Sequence, residues 1–191
     1  DNIRRADILL DAEFAPGAAL AAARARAPDE GIAASNMRSW REGLPSGIGG
    51  PIATLDEIKR ANLRGRGGAG FSTGLKWESC RNAPLKAGQQ RIVVCNADEG
   101  EPGTFKDRVL LTAKPDLVFE GMTVAAYAVG ATRGFVYLRG EYRYLLEPLN
   151  AVLAKRRADN LLGRDVLGLP GADFALDLPL GAGAHASCAE T

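Results

Sequence analysis

Two segments put residues of reactive type close together in this chain. Leu63–Trp77, reading LRGRGGAGFSTGLKW, packs four glycines into the six residues Gly65–Gly70 and carries Arg64, Arg66 and Lys76 around them. Glycines remove the Cβ atoms that would keep a phosphate or a flat ring away from the backbone. The arginines and the lysine supply charge for phosphates, and Phe71 offers a face for stacking. Val94–Arg108, reading VCNADEGEPGTFKDR, leaves an apolar run and opens into Asn96, Asp98, Glu99 and Glu101. An amide there can hydrogen-bond a flavin ring, and carboxylates can bind ribose hydroxyls or orient a carboxamide. The pair suggests a nucleotide or flavin site; the plain alternatives are a flexible surface turn and a solvated acidic turn.

Known phosphate motifs do not fit by context. Gly65, Gly67 and Gly70 satisfy G-x-G-x-x-G, but a dinucleotide fingerprint follows a strand and opens a helix. Here a helical segment precedes the loop and the strand comes later. Gly65 and Gly70 also have P-loop spacing, yet Phe71 stands where Lys is required. The acidic segment lacks the EF-hand pattern, and no metal-ligand set is read from it.

The elements that must hold these segments follow a simple order. Thr54 with Glu57 fits a capping box, opening a short helix that runs to Gly65. Arg91–Cys95 is a β-branched run suited to a buried strand. Pro115–Gly130 is apolar all round, as a helix covering a sheet would be. Gly134–Leu138 reads as a second strand. Tyr142, Leu145, Leu146, Leu149, Val152 and Leu153 share a helical face, with Pro148 either kinking that helix or lying in its first turn. Phe174, Leu176, Leu178 and Leu180 alternate as a third strand. This β-α-β-α-β order predicts an α/β fold, a Rossmann-like three-layer domain with a mostly parallel sheet over residues 51–191. Residues 1–50 form an Ala- and Pro-interrupted N-terminal arm. Asn96–Glu101 then lies past the carboxyl end of the first strand, where open α/β sheets bind ligands. Lys106, Asp107 and Arg108 read as a structural ion-pair network.

Composition narrows the partners. The 191 residues carry 24 basic and 23 acidic side chains, a formal net charge of +1. That balance gives no reason to expect nucleic acid. No apolar stretch reaches the roughly 20 residues of a membrane span. Cys80, Cys95 and Cys188 lack C-x-x-C spacing and cannot all pair, which points to free thiols and a cytoplasmic protein. The missing initiator Met and the stop at Thr191 lead to the expectation of a piece of a longer subunit.

The two long motifs, with VYLRGEY (Val136–Tyr142) and GAGAH (Gly181–His185), resemble the FMN- and NADH-binding (diaphorase) subunits of respiratory complex I, soluble NAD-reducing hydrogenases and NAD-dependent formate dehydrogenases. The resemblance covers about Ile52–Thr191. It implies an NADH-oxidising flavoprotein module that moves hydride between NAD(H) and FMN, with electrons exchanged with iron–sulfur subunits of one of those assemblies. By position it implies a flavin loop over Gly65–Gly74, including Gly65, Gly67, Gly68, Gly70 and Gly74, with Arg66 and Lys76 on FMN. Phe71 would stack on the adenine of NADH. Asn96, Asp98 and Glu99 would hold the flavin, and Glu101 would act beside the nicotinamide. Gly183 and Glu190 belong to the same set through the terminal motif.

That terminal motif departs from the family. GAGAYICGEET becomes GAGAHASCAET, so His185 replaces Tyr and Ala189 replaces the first Glu. The Cys ligands of the family's [4Fe–4S] cluster have no counterpart in this chain, so the cluster would belong to the parent subunit. A non-catalytic scaffold piece is the competing expectation, and the chain by itself is expected to be inactive.

Overall fold

The computed structural model describes residues 50–66, 69–168 and 170–181. The arm expected at residues 1–50 therefore lies, but for Gly50, outside the described residues, as does most of the terminal motif.

Helix α1, Pro51–Arg60, begins three residues before the capping box expected at Thr54. Pro51 needs no N–H partner in the first turn and presets the helical φ. Thr54 is thus inside the helix, its hydroxyl donating to the Gly50 carbonyl at 3.0 Å. The helix stops at Arg60 rather than near Gly65. Helix α2, Thr73–Asn82, has no counterpart in the sequence reading. It carries few apolar residues, and its ends are fixed by other elements. Ser72 caps its start, and the Arg91 guanidinium donates to the carbonyls of Cys80 (2.8 Å), Arg81 and Ala83 (2.9 Å) at its end.

Strand β1, Ile92–Ala97, runs two residues past the predicted end. A short helix α3, Lys106–Ala113, also unanticipated, leads into α4, Pro115–Val129. Gly130 closes α4 in the left-handed region (φ 76°), its N–H on the Ala126 carbonyl, as such termini require. Strand β2, Arg133–Leu138, is followed by a 3-10 turn, Gly140–Leu145, and by α5, Leu146–Ala158, with Pro148 in the first turn. Regular pairing of β3 is confined to Ala175–Asp177; Phe174 and Leu180 contribute only isolated bridges. Pro179, which has no N–H to give a ladder, lies where alternation alone would extend the strand.

The three strands are parallel in the order β1-β2-β3, with Ile92 opposite Arg133 and Ala97 opposite Leu138. This is the α/β, Rossmann-like arrangement expected, reached through the crossover helices α4 and α5. Alternate residues divide the sheet's faces. Val93, Cys95, Ala97, Val136, Leu138 and Leu176 join Phe119, Met122 and Ala126 of α4 and Leu149 and Leu153 of α5 in one core. Ile92, Val94 and Asn96 of β1 point the other way and are exposed, Val94 to 60%. Arg156 locks α5 onto α4: it pairs with Glu120 at 2.5 Å and with Asp116 at 3.1 Å, both Arg156 and Glu120 being fully buried. Among the described residues, no helix is long and apolar enough to cross a membrane.

Candidate functional site

The glycine loop is a clasp built on α1 and α2. Leaving α1 through Asn62, whose φ is +49°, the chain pairs Arg64 with Ser72 in an antiparallel bridge. The Gly65 N–H donates to the Phe71 carbonyl (2.9 Å), and the Thr73 N–H to the Leu63 carbonyl (2.9 Å). Arg64 donates to the Gly70 carbonyl at 3.3 Å. Gly65 and Phe71 are thus clasped together directly before the N-terminus of α2. Gly70 is left-handed (φ 64°) and faces open space, so glycine serves it by backbone freedom. Gly74 serves differently: it is buried against Lys59 of α1, where any side chain would collide. Gly67 and Gly68 lie outside the described residues.

Arg66, Phe71 and Lys76 stand exposed on this clasp, and neither Arg66 nor Lys76 is paired with a carboxylate among the described residues. Two cations beside a clasped loop and a helix N-terminus are the donor chemistry of an anion seat.

The second group sits at the carboxyl end of β1. Asn96 accepts the Asp98 N–H on its own Oδ1 at 3.1 Å, an Asx turn that bends the chain out of the strand. Glu101 is exposed, and its carbonyl accepts both the N–H (3.1 Å) and the hydroxyl (2.6 Å) of Thr104. Glu99, by contrast, turns inward. Its carboxylate accepts the N–H groups of Asp107 (2.9 Å) and Arg108 (3.4 Å), so it sits on the N-terminus of α3. Its Oε2 also accepts the Tyr142 hydroxyl at 2.9 Å. Burial alone would raise the Glu99 carboxyl. The bonds from Asp107, Tyr142 and Arg108, with Lys106 nearby at 3.9 Å, outweigh it and hold the group below its usual range. Burial and the bond to Glu99 push the Tyr142 phenol up.

Lys106 pairs with Asp107 at 2.7 Å, so of the network expected at Lys106, Asp107 and Arg108 this pair is present, while Arg108 contributes its backbone N–H to Glu99. The sequence reading assigned no role to Arg139 or Tyr142. The Arg139 guanidinium donates to the Glu99 carbonyl, and its N–H to the Ala97 carbonyl at 3.1 Å. Both residues follow Leu138, the register partner of Ala97, so the sequence signals are their position just beyond the second strand and their place in the VYLRGEY motif. Gly181 lies at the same sheet end, its N–H on the Leu138 carbonyl at 2.6 Å. Gly183, His185, Ala189 and Glu190 lie outside the described residues.

A match to the family model described as the Nuo51 FMN-binding domain spans residues 58–188. The chain belongs to this family. It is 56% identical over 135 residues to the NAD-reducing hydrogenase HoxS subunit alpha of Cupriavidus necator, covering 71% of this chain and 22% of that protein. It is 43% identical over 141 residues to an NADH-quinone oxidoreductase component of Escherichia coli, covering 74% of this chain and 31% of that one. Among solved structures, the NAD+-reducing [NiFe]-hydrogenase in its H2-reduced state superposes with a TM-score of 0.61 at 41% identity, over 78% of this chain and 25% of that one. The chain thus spans about a fifth to a third of the length of these relatives.

Proposed function

We propose that this chain is the flavin- and nicotinamide-binding part of an NADH-oxidising (diaphorase) subunit, the FMN meeting NAD(H) on its surface. The observation that carries the reading is the family match across both motif segments, joined to what those segments expose. The donor set suits FMN. Its terminal phosphate is dianionic and calls for cations without carboxylate partners, which Arg66 and Lys76 are among the described residues. Its ring edge alternates donors and acceptors, which Asn96 and Asp98 can meet.

When bound, FMN supplies the hydride-accepting ring and the means of passing electrons on singly. The protein's own work is placement. Arg66 and Lys76 hold the phosphate, and the clasp at 65–71 lets a flat ligand approach the backbone. Phe71 offers its face to the adenine of NADH. Asn96 and Asp98 aim the ring, and Glu101 stands at the nicotinamide end. Electrons then pass to or from iron–sulfur subunits of a hydrogenase, formate dehydrogenase or complex I assembly in the cytoplasm, the cluster ligands being supplied by the parent subunit.

The test is mass spectrometry of the cofactor released from the intact parent complex, with the bleaching of its flavin absorbance by NADH followed under anaerobic conditions. FMN that bleaches with NADH supports the reading. FAD in place of FMN, or no flavin, overturns it. FMN that NADH leaves oxidised favours the scaffold role suggested by the altered terminal motif.

A further inference from the structure

Residue 99 is held at both its backbone and its side chain, from two directions. The Tyr142 hydroxyl and the first N–H groups of α3 take its carboxylate, and Arg139 takes its carbonyl. Glu99 and Tyr142 are both buried, while Asn96 and Glu101 on either side are exposed. The turn therefore has a fixed centre and open flanks. A hydrogen bond to a buried carboxylate is among the stronger kinds, and it loses little to competition from water. The bond also joins positions 43 residues apart, linking the ends of β1 and β2.

We propose that Tyr142 is a positioning residue for the flavin site. It holds Glu99, and through Glu99 it fixes the direction in which Asn96, Asp98 and Glu101 present their side chains. The proposal rests on the reading above, in which those three residues meet the ring and the nicotinamide end. It gives Glu99 a role other than ring contact, because the donors it already accepts occupy its carboxylate. Without the phenol hydroxyl the turn samples more shapes, and a ligand must then bear the cost of ordering it.

The experiment uses the full-length protein stripped of flavin and titrated with FMN, following the quenching of flavin fluorescence. Tyr142→Phe removes only the hydroxyl. We expect it to raise the Kd for FMN about ten-fold, the factor at the lower end of the range for a hydrogen bond to a charged group. Because Tyr142 acts through Glu99, the pair Tyr142→Phe/Glu99→Gln should bind no more weakly than Glu99→Gln alone. Arg139→Lys keeps the charge but loses the planar fork. It loosens the other hold and should also raise the Kd, which keeps the proposal testable if Tyr142→Phe fails to fold. A Tyr142→Phe protein that melts earlier yet binds FMN as the unsubstituted one does overturns the proposal and leaves the functional reading standing. Additive effects of the two substitutions overturn it as well. An unsubstituted protein that binds no FMN removes the reading itself.

Discussion

Gly74 lies directly against Lys59, so close that a Cβ on residue 74 would stand 2.6 Å from Lys59 Cγ and 3.0 Å from its backbone nitrogen. The side-chain end of Lys59 then reaches over to Glu78 of α2. A backbone nitrogen cannot move aside as a flexible side chain can, so Gly74→Ala must push α2 off α1. We expect a loss of about 1–3 kcal/mol, in the range of overpacked interiors. Urea denaturation with the slope unchanged would show it; a midpoint equal to that of the unsubstituted protein would refute it.

The Arg156–Glu120 pair gives a second prediction. Arg156→Met strips the guanidinium from a buried carboxylate and should cost about 3–5 kcal/mol. Adding Glu120→Leu removes the stranded charge and should recover most of that loss. If the double substitution unfolds as readily as the single one, packing rather than charge is the main contribution of Arg156.

Acid should loosen the turn at Glu99. The carboxyl is held below its usual range in the folded protein, whereas in the unfolded chain it titrates at roughly 4.3. The folded state therefore binds fewer protons, and the contribution is complete above that unfolded value. It is lost as pH falls through the folded value. Glu99→Gln should be less stable than the unsubstituted protein at neutral pH, with the gap narrowing on acidification. Urea midpoints at a series of pH values between neutrality and about 3 would measure this, and a constant gap would contradict it.

Cys95 should be inert while the protein is folded. Burial, and then the charge of Asp107, push its thiol up to about 11. At pH 8 that leaves roughly 0.1% thiolate, against about a quarter for a free cysteine. Iodoacetamide at that same pH should label Cys95 only after denaturant is added, as peptide mapping would reveal. Labelling of the native protein at the rate of a free thiol would rule out this environment.

Phe71 is 61% exposed, so its removal should leave the fold unharmed. Phe71→Ala in the full-length protein should raise KM for NADH several-fold, a loss on the order of 1 kcal/mol of stacking. Its melting temperature should stay within about a degree, because surface truncations seldom matter to stability. An unchanged KM would remove Phe71 from the nucleotide site.

What could be read in advance follows from locality. β1, α4 and β2 are legible because their apolar patterns are continuous and end in Cys95, Gly130 and Leu138, although β1 itself runs on to Ala97. α2 was not, since TGLKWESCRN has no apolar stripe and is secured by Ser72, Arg91 and the Lys59–Glu78 pair. α3 begins where the Glu99 carboxylate takes the N–H of Asp107, eight residues on, and no local pattern announces that. The open side chains of the site, Arg66, Phe71, Lys76 and Glu101, were legible as chemistry. The inward turn of Glu99 depends on a tyrosine on another strand's continuation, which spacing does not reveal.

Strand order has a consequence for where a ligand can lodge. In doubly wound sheets a crevice opens where successive crossovers depart in opposite directions. Here the chain steps from β1 to β2 to β3 without reversing, so neither gap between these strands is such a place. The end of β2 is closed on both flanks, by the Arg139 N–H on Ala97 and by Pro179 and Gly181 on Leu138. The end of β1 has β2 on one side and, among the described residues, no strand on the other. Of the two edge strands, β1 and β3, it is thus β1 whose open terminus carries Asn96, Asp98 and Glu101.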